Sequence, residues 1–557
     1  MIDYFERQQG RFEAARAACK TRGYFSPFAD TPLKHPLGEA GRVSGDAAFH
    51  AALGKAFEYD GALGDWLDSE EVSPYTRERL GLRYRAGDID QQFAQARSAM
   101  SQWAHATPAR RVGVLLEAID RLYLNLFELS TAGMHTTGQS YAMSYAGSGT
   151  NALDRGLEAL VYAFEAMTQV PTEALWERTF GAATIRLRKR YRLMPRGVAV
   201  CFTCASFPMW NMLPSVLASL ATGNAVIVKP HPATVYPVAR TVAMLREVLA
   251  EAGFSPNLIS MVLDTSARPI GKTLVKHPQT AIVDFTGSVR FGAWVEANAY
   301  PALAYTETAG VNTVVLESTR DLAATARSLA TTLSLFSAQM CTSPQNIYIP
   351  RNGIVADGKQ VSFDDVVGAI ATQLRELSAD SRRAPAVLAA IQSDATLGLI
   401  DEITELGRAR GKVVMESKSY EHPEFAQART ATPLMVQVAP NEAALHRAER
   451  FGPISFVVPC ESAAHALDRA SADAKQIGAL TAFLYSTDGA FVQQAEDAYA
   501  DAGAQLTCNL TGPMPLNFAA AYSDYHVTGL NPAGNASLTE TSFVASRFRI
   551  VQSRSPV

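Results

Sequence analysis

The chain of 557 residues is too long for a single hydrophobic core and predicts several packed units. Apolar residues make up 48% of it and charged residues 19%, which is typical of a globular protein and excludes a disordered or fibrous one. The net charge of −4 and the lack of a Lys/Arg-rich run argue against binding to nucleic acid or to an anionic membrane.

The cysteines indicate a reducing compartment without a disulfide framework, because they are sparse and irregularly spaced. They are Cys19, Cys201, Cys204, Cys341, Cys460 and Cys508. No second pair or histidine cluster accompanies the pair in "CFTC" (201–204), so we expect inert strand thiols and no metal site. The N-terminal "MIDYFERQQGRFEAARAACK" is charged and helix-like and lacks the apolar core of a signal peptide. A cytoplasmic location is therefore expected.

Helices are predicted over much of residues 86–170. Apolar positions recur three or four apart in "RRVGVLLEAIDRLYLNLFEL" and "ALDRGLEALVYAFEAM". The alternation of apolar and basic residues in "AATIRLRKRYRLM" (182–194) instead predicts an exposed strand or hairpin.

The uncharged stretch from Gly197 to Val228 predicts a buried βαβ unit. It divides into the strand "VAVCF", the helix "MLPSVLASLA", a "TGN" turn and the strand "AVIVK". Prolines and the turn interrupt it, so it is too short to span a membrane. A helix (241–254) and the strands "LISMVL" and "TAIVDFTGS" follow, and after residue 310 "NTVVLE", "QNIYIP", "ISFVVPC" and "LTAFLYS" alternate with helical segments. This order predicts an α/β fold of two doubly wound domains joined near residue 307.

Seven motifs occur in a fixed order along the chain. They are "PRGVAVCF" (195–202), "CASFPMWN" (204–211), "LATGNAVIVKP" (220–230), "FTGSVRFG" (285–292), "ETAGVN" (307–312), "FSAQMC" (336–341) and "ERFGPISF" (449–456). The series resembles the NAD(P)-dependent aldehyde dehydrogenase superfamily from about residue 90 onward. The resemblance implies an aldehyde dehydrogenase-like fold: an N-terminal extension (1–85), a cofactor-binding domain (86–306), a catalytic domain (307–508) and a C-terminal segment (509–557) that returns to the cofactor domain and the subunit interface.

The resemblance also implies which residues are catalytic. Cys341 would be the nucleophile that adds to the aldehyde carbonyl, and the thiohemiacetal would pass a hydride to the nicotinamide. Glu307, 34 positions earlier, would be the base that activates water to hydrolyse the thioester. Ser206 stands where the family usually has an asparagine that donates to the oxyanion. Asn211 is an alternative donor, although a helix-capping role is favoured for it.

Cofactor contacts follow from the same resemblance. The residues expected to contact the cofactor are Thr203, Lys229, Gly287, Ser288, Glu449 and Phe451. His231 would border the adenosine pocket without binding metal. Pro232 occupies the position where NAD-preferring members commonly place a glutamate. Because a carboxylate there would repel the 2′-phosphate, its absence predicts NADP as the preferred cofactor, with NAD as the alternative.

A closer likeness connects "GYFSPFADTP", "EVSPYT" and "GPMPLNFAAAYSDYHVTGLNPAGNAS" with the phenylacetic acid degradation group of this superfamily. It implies oxidation of a CoA-linked semialdehyde in aerobic phenylacetate catabolism. Two alternatives stay open, a CoA-acylating aldehyde dehydrogenase and a catalytically impaired binding protein of the same fold. We expect a homodimer or homotetramer in which the hairpin near 179–194 and the C-terminal strand "FVASRFRIVQ" pair across subunits.

Overall fold

The computed structural model describes residues 4–514, 525–537 and 540–557. Residues 515–524 of the segment that carries the closer likeness therefore lie outside the described residues. The α-helices are α1 Tyr4–Thr21, α2 Gly38–Ala52, α3 Ile89–His105, α4 Pro108–Leu124, α5 Leu126–Thr137, α6 Tyr141–Tyr145, α7 Asn151–Thr168, α8 Pro208–Ala221, α9 Tyr236–Glu251, α10 Gly271–Lys276, α11 Val289–Asn298, α12 Leu322–Ser334, α13 Phe363–Ala379, α14 Arg383–Val387, α15 Asp394–Arg410, α16 Ala443–His446, α17 Ala463–Ile477, α18 Gly489–Ala502 and α19 Thr541–Ala545.

The strands are β1 Ala56–Phe57, β2 Trp66–Asp68, β3 Arg83–Arg85, β4 Glu173–Phe180, β5 Ala183–Pro195, β6 Val198–Phe202, β7 Ala225–Lys229, β8 Ile259–Met261, β9 Thr280–Thr286, β10 Leu303–Glu307, β11 Asn312–Leu316, β12 Ser318–Thr319, β13 Pro344–Pro350, β14 Ile354–Ala356, β15 Lys359–Val361, β16 Gly411–Met415, β17 Leu434–Val438, β18 Ile454–Cys460, β19 Thr481–Tyr485, β20 Gln505–Cys508 and β21 Phe548–Pro556. No helix among the described residues is both long and apolar enough to cross a membrane.

The first doubly wound domain is built on a five-stranded parallel sheet in the order β10-β9-β6-β7-β8. All five residues of β6 are buried, and α8 follows it and packs on α7. This is the βαβ unit that the uncharged stretch predicts. Since ligands of open α/β sheets bind at the carboxyl ends of the strands, the residues after β6 and β7 lie on the ligand side.

The second domain is built on a seven-stranded sheet in the order β16-β17-β18-β13-β11-β19-β20. Its pairings are parallel except for the antiparallel edge strand β16. Along the chain, the last strand of the first sheet is β10, which ends at Glu307, and the first strand of the second sheet is β11, which begins at Asn312. The predicted α/β class with two doubly wound domains is confirmed, and the boundary near residue 307 stays a prediction that the order of the strands supports.

The N-terminal extension packs into the first domain. Helix α1 lies against α4 and α7, and its Phe12 is fully buried. Glu71 is also fully buried and accepts hydrogen bonds from the backbone N–H groups of Val235 and Tyr236, both at 2.7 Å. A carboxylate at a helix N-terminus satisfies donors that have no partner within the helix. The extension therefore fixes the start of α9, beside the expected cofactor pocket.

The hairpin and the C-terminal strand pair with each other within the chain, and their expected pairing across subunits stays a prediction. The hairpin is formed by β4 and β5 and is longer than the expected 179–194. Strand β21 runs antiparallel to β5, from Phe548 opposite Pro195 to Pro556 opposite Leu187. The preceding Arg547 forms a buried two-point ion pair with Asp284 of β9, at 2.5 and 2.9 Å. This pair places the start of β21 beside the end of its own β5.

Candidate active site

The expected nucleophile follows a left-handed turn. Residues 336–338 are buried, are not glycine, and have φ between 48 and 51°. This conformation costs about 1–2 kcal/mol per residue, so the surroundings must hold it. The Ser337 hydroxyl donates to the Leu388 carbonyl at 2.8 Å, and the Gln339 side-chain amide donates to the Ala390 carbonyl at 3.0 Å. The turn brings the chain from α12 to Cys341.

Cys341 and Glu307 lie together between the two domains, as the motif order predicts. The Sγ atom is 3.8 Å from Glu307 Oε1, and the Asn312 side-chain amide donates to the Cys341 carbonyl at 2.7 Å. Cys341 is half-buried, whereas Glu307 at the end of β10 is only 2% exposed. Burial, followed by the charge of Glu307, raises the pKa of the Cys341 thiol well above its ordinary value. The thiol therefore needs a proton acceptor at the moment it attacks.

His526 completes this site, and sequence analysis missed it. Its Nε2 atom lies 3.0 Å from Glu307 Oε1 and 3.8 Å from Cys341 Sγ. The imidazole is 2% exposed and packs against the indole of Trp210, with ring centroids 4.6 Å apart. With the proton on Nε2, the ring donates to the Glu307 carboxylate. No local pattern marks His526, because it lies 219 positions from Glu307.

Asn211 also belongs to the site, so the favoured capping role is wrong. Its side-chain Nδ2 donates to Glu307 Oε1 at 3.1 Å, and its Oδ1 accepts from the Cys204 thiol at 3.4 Å. Cys204 thus lines the site. The Ser206 hydroxyl lies 4.0 Å from Cys204 Sγ, and no contact with Cys341 is found for it among the described residues. Its role as an oxyanion donor stays a prediction.

The expected adenosine side of the cofactor pocket carries more negative charge than its sequence motif shows. Lys229, at the end of β7, forms an ion pair of 2.5 Å with Asp264, which follows β8 and is 2% exposed. Glu70 of the N-terminal extension accepts hydrogen bonds from both the backbone N–H and the hydroxyl of Ser266, two residues further on. Thr203 Oγ1 accepts from the backbone N–H of His231 at 3.3 Å. Asp264 therefore pairs with the lysine directly, and Glu70 is bound to the same loop through Ser266.

Gly287 and Ser288 lie between β9 and α11. The Ser288 side chain caps α11 by accepting from the backbone N–H of Phe291, and the residue is exposed. Gly287 donates its N–H to the Glu307 carbonyl at 3.1 Å, which ties this turn to the base. An exposed helix N-terminus suits a pyrophosphate, because its free N–H groups and the helix dipole attract anions.

Glu449 and Phe451 lie on the loop that leads into β18, and both are half-buried. Burial raises the pKa of Glu449 to about 7. Strand β18, which this loop enters, pairs with β13, the strand that follows Cys341, so Glu449 and Cys341 belong to the same domain. This position suits the expected contact with the nicotinamide ribose.

A doubly wound sheet beside a half-buried cysteine and a buried glutamate and histidine is the arrangement expected of a dinucleotide-dependent oxidoreductase. Residues 66–511 match the sequence profile of the Aldehyde dehydrogenase family. The structure of an NAD-dependent aldehyde dehydrogenase from Burkholderia multivorans is 42% identical, and the match covers 100% of this chain and 99% of that one with a TM-score of 0.96. The chain belongs to the aldehyde dehydrogenase family.

More distant relatives share the fold. The 1-pyrroline-5-carboxylate dehydrogenase 2 of Halalkalibacterium halodurans is 24% identical over 510 residues, which cover 87% of this chain and 92% of the relative. The structure of a 1-pyrroline-5-carboxylate dehydrogenase from Thermus thermophilus is 18% identical, covers 96% of this chain and 100% of that one, and has a TM-score of 0.75. The superfamily resemblance and the assignment as an enzyme are confirmed.

Proposed function

We propose that this aldehyde dehydrogenase converts its aldehyde to a carboxylic acid through a thioester on Cys341 that water hydrolyses. The observation that carries the proposal is the 3.8 Å approach of Cys341 Sγ to the buried carboxylate of Glu307. The thiol proton passes to the carboxylate as sulfur adds to the carbonyl carbon, and the hydride of the thiohemiacetal leaves for the nicotinamide. After the Glu307 carboxyl has released that proton to solvent, it takes a proton from the water that adds to the thioester carbon. The carbon–sulfur bond then breaks, the proton returns to sulfur, and the carboxylic acid leaves.

The first test replaces the nucleophile. Cys341→Ala should abolish aldehyde-dependent reduction of the cofactor and leave cofactor binding intact, since the expected cofactor contacts come from other residues. Cys508→Ala, a half-buried thiol at the end of β20, is the matched control and should retain activity. Turnover by Cys341→Ala above a few per cent of the wild-type rate would exclude the thioester route.

We further propose NAD as the physiological cofactor. Pro232 alone favours NADP, but Asp264 neutralises Lys229, and Glu70 adds a second carboxylate nearby. Like charges repel the 2′-phosphate of NADP, whereas carboxylates can accept hydrogen bonds from ribose hydroxyls. The similar Burkholderia multivorans enzyme is named NAD-dependent, and other aldehyde dehydrogenases of this fold have been solved with NAD or with NADP.

The cofactor proposal is tested by kcat/KM for the two cofactors. Wild type should favour NAD, and Glu70→Gln should reduce that preference by improving NADP. Glu58→Gln is the matched control, because Glu58 lies on the same extension but is ion-paired with Arg85; this variant should keep the wild-type preference for NAD. A wild-type preference for NADP would contradict this proposal and support the prediction of NADP that rests on Pro232.

For the substrate we propose the CoA-linked semialdehyde of phenylacetate catabolism, as in the group of phenylacetic acid degradation protein PaaN. The sequence likeness supports this proposal, and so does a cleft of about 860 Å³ lined by Tyr141, Arg42 and Arg382. Tyr141 is two residues from Met143, which packs in one apolar cluster with Met340, the neighbour of Cys341. Such a cleft has room for the distal part of a large substrate. Glu39, Asp46 and Glu424 also line it and Arg42 is ion-paired with Glu39, which leaves Arg382 as the residue proposed to contact phosphate.

A panel of aldehydes decides the substrate. The CoA-linked semialdehyde should give a higher kcat/KM than the same semialdehyde without CoA, and a higher one than 1-pyrroline-5-carboxylate, which the relatives' names suggest. Arg382→Ala should raise KM for the CoA-linked semialdehyde alone. The difference in kcat/KM between the semialdehyde with CoA and the one without it should therefore decrease. Product analysis with and without free CoA tests the acylating alternative, because a CoA thioester would form only if CoA replaced water.

A further inference from the structure

The site has the ligand atoms for a metal ion as well as for catalysis. Cys341 Sγ, Glu307 Oε1 and His526 Nε2 form a triangle with sides of 3.8, 3.8 and 3.0 Å. A tetrahedral zinc ion with ordinary bond lengths would separate its sulfur ligand from a nitrogen or oxygen ligand by about 3.6 Å, and nitrogen from oxygen by about 3.4 Å. Each observed side differs from these separations by less than about 0.5 Å.

The ligand types and their environment also suit zinc. Thiolate, imidazole and carboxylate are the three ligand classes that zinc uses in proteins, and three protein ligands leave a fourth position open. Glu307 and His526 are each 2% exposed, and within the described part of the chain Glu307 Oε2 has no hydrogen-bond partner. A buried carboxylate oxygen without a partner is a strong acceptor for a cation.

Contacts outside the triangle fix the ligands before any ion arrives. Trp210 holds the plane of the His526 ring, and Asn211 donates to Glu307 at 3.1 Å. Asn312 fixes the Cys341 backbone through its carbonyl. Ligands that are already oriented lose little entropy on binding a metal, and such supporting contacts raise metal affinity.

We propose that one Zn²⁺ ion binds reversibly to Cys341, Glu307 and His526 and holds the enzyme in an inactive state. The binding itself is independent of the reaction, whereas the inhibition rests on the proposed role of Cys341. Binding displaces the thiol proton, and the imidazole proton then lies on Nδ1, which has no hydrogen-bond partner among the described residues, so that Nε2 can coordinate the ion. A zinc-bound sulfur cannot add to a carbonyl, and the ion also occupies Glu307. Removal of the ion returns both groups, so inhibition is reversible by chelation.

Direct metal binding is the first test. Full-length enzyme freed of metal with a chelator is titrated with Zn²⁺ against a chromophoric competitor, and separately with Co²⁺, whose bond to thiolate gives a near-ultraviolet charge-transfer band. We expect one ion per chain and a cobalt–thiolate band. Cys341→Ala should lose the band, and His526→Gln should weaken zinc binding by about 100-fold or more, since even supporting contacts are worth 10–100-fold.

Cys508→Ala and His50→Ala, which change a thiol and an exposed imidazole elsewhere, should bind zinc like wild type. Thermal unfolding shows whether each variant is folded. Absence of the cobalt band in wild type, or equal zinc affinity in a folded His526→Gln variant, would overturn the proposal. If Cys341→Ala loses the metal but still oxidises aldehydes, the metal site stands and the thioester route fails. If Cys341→Ala is inactive but wild type binds no metal, the thioester route stands and the metal site fails.

Discussion

His526→Phe should slow turnover strongly, because it removes one of the two nitrogen donors that the described residues place on the buried base. Phenylalanine keeps an aromatic ring against Trp210 but cannot donate to Glu307 Oε1, which then retains the 3.1 Å bond from Asn211 and the 3.8 Å contact with Cys341 Sγ. A hydrogen bond to a charged group is worth about 1.5–3 kcal/mol. If that loss falls on the steps that use the carboxylate, kcat decreases by about 10- to 150-fold.

The assay is steady-state reduction of the cofactor at saturating aldehyde, combined with a rapid-mixing measurement of the first turnover. His526→Gln, which can still donate, should recover part of the lost rate, and Tyr525→Phe, at the exposed neighbouring residue, should behave like wild type. A change of less than about threefold in a folded His526→Phe variant would refute the reasoning, because a donor to a buried carboxylate is worth more than that.

Three further predictions concern other parts of the molecule. Glu307→Gln should slow both the first burst of reduced cofactor and the steady state, because the proposed route uses the carboxylate to take the thiol proton and then a proton from water; a burst at the wild-type rate would restrict Glu307 to hydrolysis. Since the pKa of Glu449 is about 7, KM for the cofactor should fall as pH rises from about 6 to about 8 and the carboxylate becomes an acceptor, and Glu449→Gln should remove this dependence. Arg547→Met leaves Asp284 buried without its partner and should lower the free energy of unfolding, measured in urea, by about 3–5 kcal/mol. The double variant Arg547→Met with Asp284→Asn should lower it by less, and an equal decrease in the two variants would contradict this prediction.

Residues whose roles depend on local pattern could be predicted from the sequence. The apolar, β-branched runs "VAVCF" and "AVIV" predict strands buried on both faces, and both are found in the central sheet of the cofactor domain. Cys341 and Glu307 were identified by the order of motifs, and the fold brings them to 3.8 Å. In both cases the relevant information lies within a few residues of the feature.

The contacts that sequence analysis missed join residues far apart in the chain. His526 contacts Glu307 although the two lie 219 positions apart in the chain, and Asn211 contacts Glu307 although they lie 96 positions apart. Asp264 reaches Lys229 only because β7 and β8 are neighbours in the sheet. A single histidine or asparagine in a polar segment carries no periodic pattern, so its partner is known only when the topology is known.

The left-handed turn at 336–338 makes the shape of the nucleophile's loop depend on how the two domains are closed. The carbonyl of Ala390 accepts the amide of Gln339, while its N–H donates to the carbonyl of Gly138, at the end of α5 in the cofactor domain. Separation of the domains would break the second bond and loosen the support of a turn that stores about 1–2 kcal/mol per residue. We expect the thiol to be correctly presented only while this contact between Ala390 and Gly138 is intact.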